Sequence, residues 1–381
     1  MELQALLRHD DDDDIIDVLD GFDAEIALTL IIRRRSKRRR GRSRRGSVPG
    51  RMKTRERNII LGHESIMRDY LGPNPVYDET LFQRRYRLPS VLFRRLLIEI
   101  TEANSYFARK PDAVGKMGAS PEQKMTAALR MLGSGISADV QDEYCRIAES
   151  TVMKSFHAFC KTVVEIYGKV YLRAPTADDV RKILRFNESR GMPGLLGSLD
   201  CTHWRWKNCP TAWHGHYRGK EGAPTVVLEA IATADRWIWH AFFGIPGSNN
   251  DLNILDRSPL LHSFLNDTQP RVQYEIDGVN YDTPYYFVDG IYPAWSTFIS
   301  VYTEPEEGSK KAFTTAHEAI RKDVECAFGI LKSRFGVLAV PSRLWYEDQM
   351  KYVIYCCVIL HNMVIELRGE NVPDYLPDPS G

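Results

Sequence analysis

Apolar residues recur at helical spacing from about residue 78 to 185. Leu81, Phe82, Leu88, Leu92, Leu96 and Ile100 follow that period, with an interruption at Pro89. Ser120-Pro121-Glu122-Gln123 supplies an N-cap, a proline at the first helical position and a glutamine at the capping-box position. A helix therefore starts there and runs to the breakers Gly133 and Gly135. Ser137 is placed to cap a short helix, and Glu149 or Ser150 to begin a longer one, with a tight connection at Arg146-Ile147-Ala148. Two helices joined this way match a helix-turn-helix, whose second helix would offer Ser150, Thr151, Lys154 and Ser155 to DNA. An ordinary helical hairpin gives the same pattern.

Beyond Pro193-Gly194 the apolar residues gather into short runs at 195–199, 225–233, 237–243 and 285–288. The second and third are rich in β-formers and separated by Ala234-Asp235-Arg236, which predicts a hairpin. Asp251 begins a helix after Gly247-Ser248-Asn249-Asn250. Helical spacing returns over about 314–334, where Phe313, Ala316, Ile320, Val324, Ala327, Leu331 and Phe335 form an apolar stripe. A last apolar helix covers about 349–367. Strands followed by strand–helix alternation predict an α/β fold over 189–367, preceded by a helical region over 76–188. Residues 1–75 and 368–381 read as polar tails. Trp204 and Trp206, like Trp237 and Trp239, fall on one face of a strand; core packing is expected there, with stacking on DNA bases (including Trp213) as the alternative.

Charge changes the picture of the tails. The net charge of +1 conceals residues 1–32, with ten acids and one base, and residues 33–57, with fourteen bases and one acid. Arg33, Arg34, Arg35, Lys37, Arg38, Arg39 and Arg40 open a basic run that ends at Arg45. It reads as a nuclear-import signal or a phosphate-binding arm, or more plainly as a solvated linker. Seven cysteines without paired spacing suggest a reducing compartment. No apolar run approaches the roughly 20 residues of a membrane span. The apolar stretch 26–32 has the reverse of a secretory signal's charge order. A soluble intracellular protein is expected.

Three acids carry the candidate chemistry. Asp200 in LLGSLDCTHWRWKNCP and Asp289 in YYFVDGIYP each end a strand-like run, and Glu325 in RKDVECAFGILKSRF lies on a helix. Glu325 falls about 120° from the centre of the apolar stripe, on the flank that carries Arg321 and Lys332. Divalent-metal phosphodiester chemistry uses ions about 4 Å apart, held by converging carboxylates. Paired strands would bring Asp200 and Asp289 to one sheet edge. Taken singly, each acid is equally a turn former or a surface ion-pair partner. His203, Arg205 and Lys207 are candidates for orienting phosphate, with packing the alternative for His203. Cys201, Cys209, His214 and His216 have a zinc-like composition but lack the paired spacing of such sites.

The segments GSLDCTHWRWKNCPTAWHG, GKEGAPTVVLEAIATADRWIWHAFFGIPGSNNDLNIL, YYFVDGIYPAW, RKDVECAFGILKSRF and YCCVILHNMVIE resemble the PIF/Harbinger transposase group, including its domesticated nuclease-like relatives. The resemblance extends upstream through FQRRYRLPSVLFRRLL and covers about residues 80–367. It implies an RNase H-like catalytic core with Asp200, Asp289 and Glu325 as the catalytic, metal-binding set. It also implies Asp251, in GSNNDLNIL, as a further metal ligand. The implied cofactor is Mg²⁺ or Mn²⁺, and the implied substrate is DNA. In such enzymes water attacks a phosphodiester at the transposon end, and the released 3′-hydroxyl attacks target DNA. The resemblance further implies action in the nucleus, with the cytoplasm also open, beside a Myb-like DNA-binding partner protein, and makes an oligomer plausible. A non-catalytic DNA-binding or scaffold protein retaining the fold is the alternative, as is a nuclease without strand transfer.

Overall fold

A computed structural model describes residues 55–369, apart from 113–114, 221, 267–268 and 303–307. The acidic run, the basic run from Arg33 through Arg40 and residues 370–381 lie outside the described residues.

The N-terminal half is helical: α1 Ile59–Ile66, a π-helical turn Met67–Leu71, α2 Glu79–Tyr86, α3 Ser90–Ala103, α4 Pro121–Ser134, α5 Ala138–Cys145, α6 Glu149–Tyr171 and α7 Ala177–Ser189. Local signals explain several boundaries. Pro89 separates α2 from α3, because its ring cannot continue a helix. Ser120 and Gln123 form both bonds of the capping box at the start of α4, and Gly135 closes its end at φ 67. Helical structure begins at Ile59, inside the stretch expected to be tail. The reason is burial: Ile66, Tyr70 and Leu71 are buried, and the Tyr70 ring packs edge-on against Phe82 and Tyr86.

Helices α5 and α6 are joined by three residues, with Arg146 in the left-handed region at φ 55. Ser137 stands at the N-cap of α5 but makes no capping hydrogen bond. Ser155 is buried, bonded to the Tyr106 hydroxyl at 2.9 Å and the Thr151 carbonyl at 2.8 Å, so it cannot face DNA. Lys154 is exposed, with its ammonium 4.9 Å from the Tyr106 ring.

The second half is built on a mixed sheet. Its strands are β1 Leu195–Arg205, β2 Thr225–Ala232, β3 Ile238–Pro246, β6 Tyr285–Phe287 and β7 Phe298–Ile299, ordered β3-β2-β1-β6-β7. A separate hairpin holds β4 Tyr274–Ile276 and β5 Val279–Tyr281. β1, β2 and β3 run antiparallel; β1, β6 and β7 run parallel. The connecting helices are α8 His214–Tyr217, α9 Asp251–Leu255, α10 Pro259–Leu265, α11 Ser309–Arg334 and α12 Glu347–Gly369. This helix-flanked mixed sheet is consistent with an RNase H-like core.

Asp200 does not end its strand. β1 continues five residues further, pairing Asp200 with Ala230 and Arg205 with Thr225. The polar letters after Asp200 hide an alternation: buried Trp204 follows Thr202 on one face while His203 and Arg205 take the other. Trp204 and Trp206 are both buried and donate to the carbonyls of Val340 and Leu344, so they pack rather than stack on a ligand. Helix α12 is buried on nearly every side from Met350 to Ile365 and packs between α6 and β3. By length and composition it could cross a membrane, but 72% of its most apolar window is buried inside the protein. One hydrophobic cluster runs from Phe82 and Phe159 through Trp204, Phe243 and Val324 to Cys356, joining the helical region to the sheet.

Candidate active site

Asp200 sits mid-strand on the sheet face covered by α11. Its neighbour two residues back, Ser198, points the same way, with its hydroxyl 3.5 Å from the Ile320 carbonyl. Ser198 is in register with Phe287 of β6, whose ring lies 4.1 Å from that of His317 on α11. Two residues beyond each of these partners stand Asp200 and Asp289. Asp200 continues along β1, while Asp289 is exposed just past the end of β6.

Glu325 projects from the exposed flank of α11 while Val324, Ala327, Phe328 and Leu331 are buried. Arg321, one turn earlier, bridges the acids. Its guanidinium lies 2.6 Å from Glu325 Oε1 and 3.5 Å from Asp200 Oδ2. Asp251 opens α9, after Asn250 caps that helix through the Asn253 amide. The neighbouring Cys201 thiol lies 3.6 Å from the Tyr292 hydroxyl.

Burial and neighbouring charge act on Asp200 and Asp251. Burial pushes the Asp200 carboxyl up to about 6, opposed by the Cys201 amide and Arg321 and reinforced by the charges of Glu325 and Asp251. Burial also raises Asp251, and the charge of Asp289 adds to it. Asp200, Asp251, Asp289 and Glu325 thus form one electrostatically linked set drawn from β1, α9, the end of β6 and α11. Their oxygens are the hard donors that Mg²⁺ or Mn²⁺ prefers. Even so, among the described residues no three His, Cys, Asp or Glu side chains stand close enough to hold an ion as they are placed. Arg321 lies between two of the four acids. The donor chemistry suits a divalent cation, but as placed the acids are not gathered around one, and Arg321 is paired with two of them.

The other sequence candidates are dispersed. Arg205 and Lys207 are exposed at and beyond the end of β1, where the Ser342 amide donates to the Arg205 carbonyl and the Lys207 amide to the Ser342 carbonyl. Lys332 turns inward and donates to Thr202 Oγ1 at 2.7 Å. His203 Nδ1 lies 2.9 Å from Thr225 Oγ1, a packed role. His214 bonds the Cys209 carbonyl at 2.9 Å, and the cysteines and histidines with zinc-like composition are not gathered into a site.

Two buried acids escaped the sequence reading. Glu229, fully buried on β2, lies 2.9 Å from His240 Nε2 and accepts from Ser258, and its Oε1 has no hydrogen-bond partner. Its signal was an acid inside the apolar run VVLEAIA, where a buried charge demands partners. Asp323 on α11 is clamped by Arg190 at 2.7 Å and Arg236 at 2.6 Å. It stands three residues after Ile320 and four before Ala327, on the apolar stripe itself.

A family model described as plant transposon protein matches residues 169–372, and a domain of unknown function matches residues 62–101. The protein "ALP1-like" of Arabidopsis thaliana is 25% identical over 281 residues, covering 70% of this chain and 67% of the relative. "Antagonist of like heterochromatin protein 1" of the same plant is 25% identical over 267 residues, covering 68% of this chain and 65% of the relative. "Putative nuclease HARBI1" of Homo sapiens is 25% identical over 310 residues, covering 80% of this chain and 82% of the relative. The chain thus spans about two thirds of the length of the two Arabidopsis relatives. No solved structure matches the chain.

Proposed function

The chain belongs to the plant transposon protein family, and from that membership we propose a divalent-metal-dependent DNA endonuclease of the transposase type. It cuts phosphodiester bonds at transposon ends and joins the 3′-hydroxyl to target DNA. The observation that carries this reading is the linked set Asp200, Asp251, Asp289 and Glu325, in which burial and mutual repulsion leave Asp200 short of positive charge.

In this reading Asp200 and Asp289 hold Mg²⁺ or Mn²⁺ jointly, and Glu325 and Asp251 complete the set. The cation supplies positive charge that polarises the phosphodiester and its attacking water. Arg321 is the resident counter-charge, and a guanidinium released from these acids would suit a phosphate oxygen. Arg205 and Lys207 are exposed where a strand of DNA could run along the end of β1. Lys154 at the start of α6 belongs to a helix-turn-helix-like DNA contact. The basic run from Arg33 serves nuclear import or backbone binding, and the nucleus is the site of action. The names of two relatives, a putative nuclease and an antagonist of a heterochromatin protein, support DNA and chromatin as the setting. A Myb-like DNA-binding partner and an oligomer belong to the same proposal.

One observation favours a second reading. Arg321 already occupies the space between Asp200 and Glu325, as it would in a DNA-binding scaffold that no longer cuts. The test is cleavage of candidate terminal-repeat DNA with Mg²⁺ and the Myb-like partner supplied, beside Asp200→Asn. Cutting by the unaltered chain, lost in a variant that still binds DNA, supports the enzyme. Equal cutting by both, or none by either, overturns it.

A further inference from the structure

We propose that a cleft between the C-terminal ends of α2 and α4 is a docking site for DNA backbone phosphates, a proposal that rests on DNA being the protein's substrate. The cleft is open, has a volume of ≈ 200 Å³ and is lined by Arg84, Arg85, Arg87, Arg130, Ser134 and Ile136. The guanidiniums of Arg84, Arg85 and Arg130 around one small space repel each other unless an anion sits among them. Among the described residues, Arg84, Arg85 and Arg130 form no ion pair with a carboxylate. Arg85 and Arg130 are held by aromatic groups instead. The Arg85 guanidinium lies 4.1 Å from the Tyr77 ring centre, and that of Arg130 lies 4.6 Å from the ring centre of Tyr144. Such contacts fix a guanidinium's orientation without consuming its charge.

The backbone is shaped to keep the arginines there. Arg87 terminates α2 in the left-handed region at φ 63, and its Cγ lies where a side chain at position 133 would stand. A Cβ on Gly133 would come within 2.7 Å of that atom, so the glycine lets Arg87 lie across α4. The two helix ends that border the cleft expose carbonyls, which favour cations nearby. Planar guanidiniums gathered in this way suit phosphate oxygens, which they bind in bidentate pairs.

The cleft also has a fixed relation to the acidic set. A Cβ on Gly135 would meet the Gly336 carbonyl oxygen at 2.7 Å, so the end of α4 abuts the turn that follows α11. From Glu325 to Arg334, α11 rises about 14 Å. The acids and the cleft are thus separated by a distance that a duplex spans within about one turn of roughly 34 Å. Phosphates held in the cleft would fix where along the duplex the acids act.

The experiment measures equilibrium binding of a labelled duplex by the full chain carrying Asp200→Asn, without divalent metal, across a KCl series. The comparison protein adds Arg84→Gln and Arg130→Gln. Both keep the basic N-terminal run, so its contribution cancels. The expected result is a loss of tenfold or more in affinity and a slope of log affinity against log salt that is shallower by about 2. Arg84→Glu alone, at an exposed position, should weaken binding with an unchanged thermal midpoint, which separates charge from folding. Unchanged affinity and slope in both variants overturn the proposal, as does failure of the parent to bind DNA. Loss of RNA binding with duplex binding intact also overturns it. If arginine-dependent binding is found in a protein that never cuts, the cleft stands and the nuclease reading falls. If cutting is found with no arginine effect, the reverse holds.

Discussion

Asp200 on β1 and Asp289, past the end of β6, each lie two residues beyond the register pair Ser198–Phe287. That relation follows from hydrogen bonding between β1 and β6, which brings the chain carrying Asp289 alongside β1. The charges of Glu325 and Asp251 add to the burial of Asp200, and that of Asp289 to the burial of Asp251, a cost to the fold that a bound cation would relieve.

The first prediction follows from that cost. The Asp200 carboxyl is raised from 3.8 to about 6, so the metal-free fold prefers the neutral form. The penalty is absent below about pH 4 and is fully present above about pH 6. Metal-free protein should therefore lose stability as pH rises through that window. Asp200→Asn should remove this part of the slope and stabilise the metal-free protein at pH 7 by roughly 1–3 kcal/mol. Urea unfolding at pH 4 and pH 7 measures both; a variant less stable than its parent at pH 7 contradicts the prediction.

Arg321 competes with a cation for Asp200 and Glu325. Arg321→Gln should tighten Mn²⁺ binding several-fold, because one positive charge leaves the acidic set. Titration of Mn²⁺ by electron paramagnetic resonance gives the affinity directly. Weaker binding would mean that Arg321 organises the acids rather than neutralising them.

Asp323 carries two arginines from outside its helix, Arg190 after α7 and Arg236 in the β2–β3 turn. Removing a buried partner strands the charges left behind. The two guanidiniums are about a quarter exposed, so solvent recovers part of the loss. Asp323→Ala should cost about 2–3 kcal/mol, read from the denaturation midpoint. A change below about 0.5 kcal/mol would show that the bridge is solvated in solution.

Gly247 lies in the loop that leads to Asp251, and a Cβ there would fall 1.7 Å from Thr225 Oγ1. Thr225 in turn holds His203. Gly247→Ala should force the loop away from β2, at a cost of about 1–3 kcal/mol, and weaken divalent-metal affinity by moving Asp251. Calorimetric melting together with metal titration checks it; unchanged metal affinity would remove Asp251 from the site.

The parts of the molecule governed by local rules were legible in the sequence. The capping box at Ser120, the break at Pro89, the β2–β3 hairpin and the amphipathic α11 follow from neighbours a few residues apart. Longer relations were not. β1 extends past Asp200 because β2 pairs with its polar end, and that pairing partner lies some 25 residues away in sequence. The parallel pairing of β1 with β6, strands about 80 residues apart in sequence, is a relation that composition does not encode. The grouping of Asp200 with Asp289 came from the resemblance in motifs alone. Glu229 and Asp323 were hidden for the opposite reason: each is a charged residue at a core position, partnered only in three dimensions.

The account rests on the four acids binding a divalent cation together. Isothermal titration of Mn²⁺ into the full chain at pH 7 tests this directly, beside Asp200→Asn, Asp289→Asn and a control at the distant Glu122→Gln. Saturable binding that is lost in both aspartate variants and kept in the control is the predicted result, with affinity falling as pH drops below about 6, where Asp200 takes up its proton. Identical binding isotherms in all four proteins would contradict it.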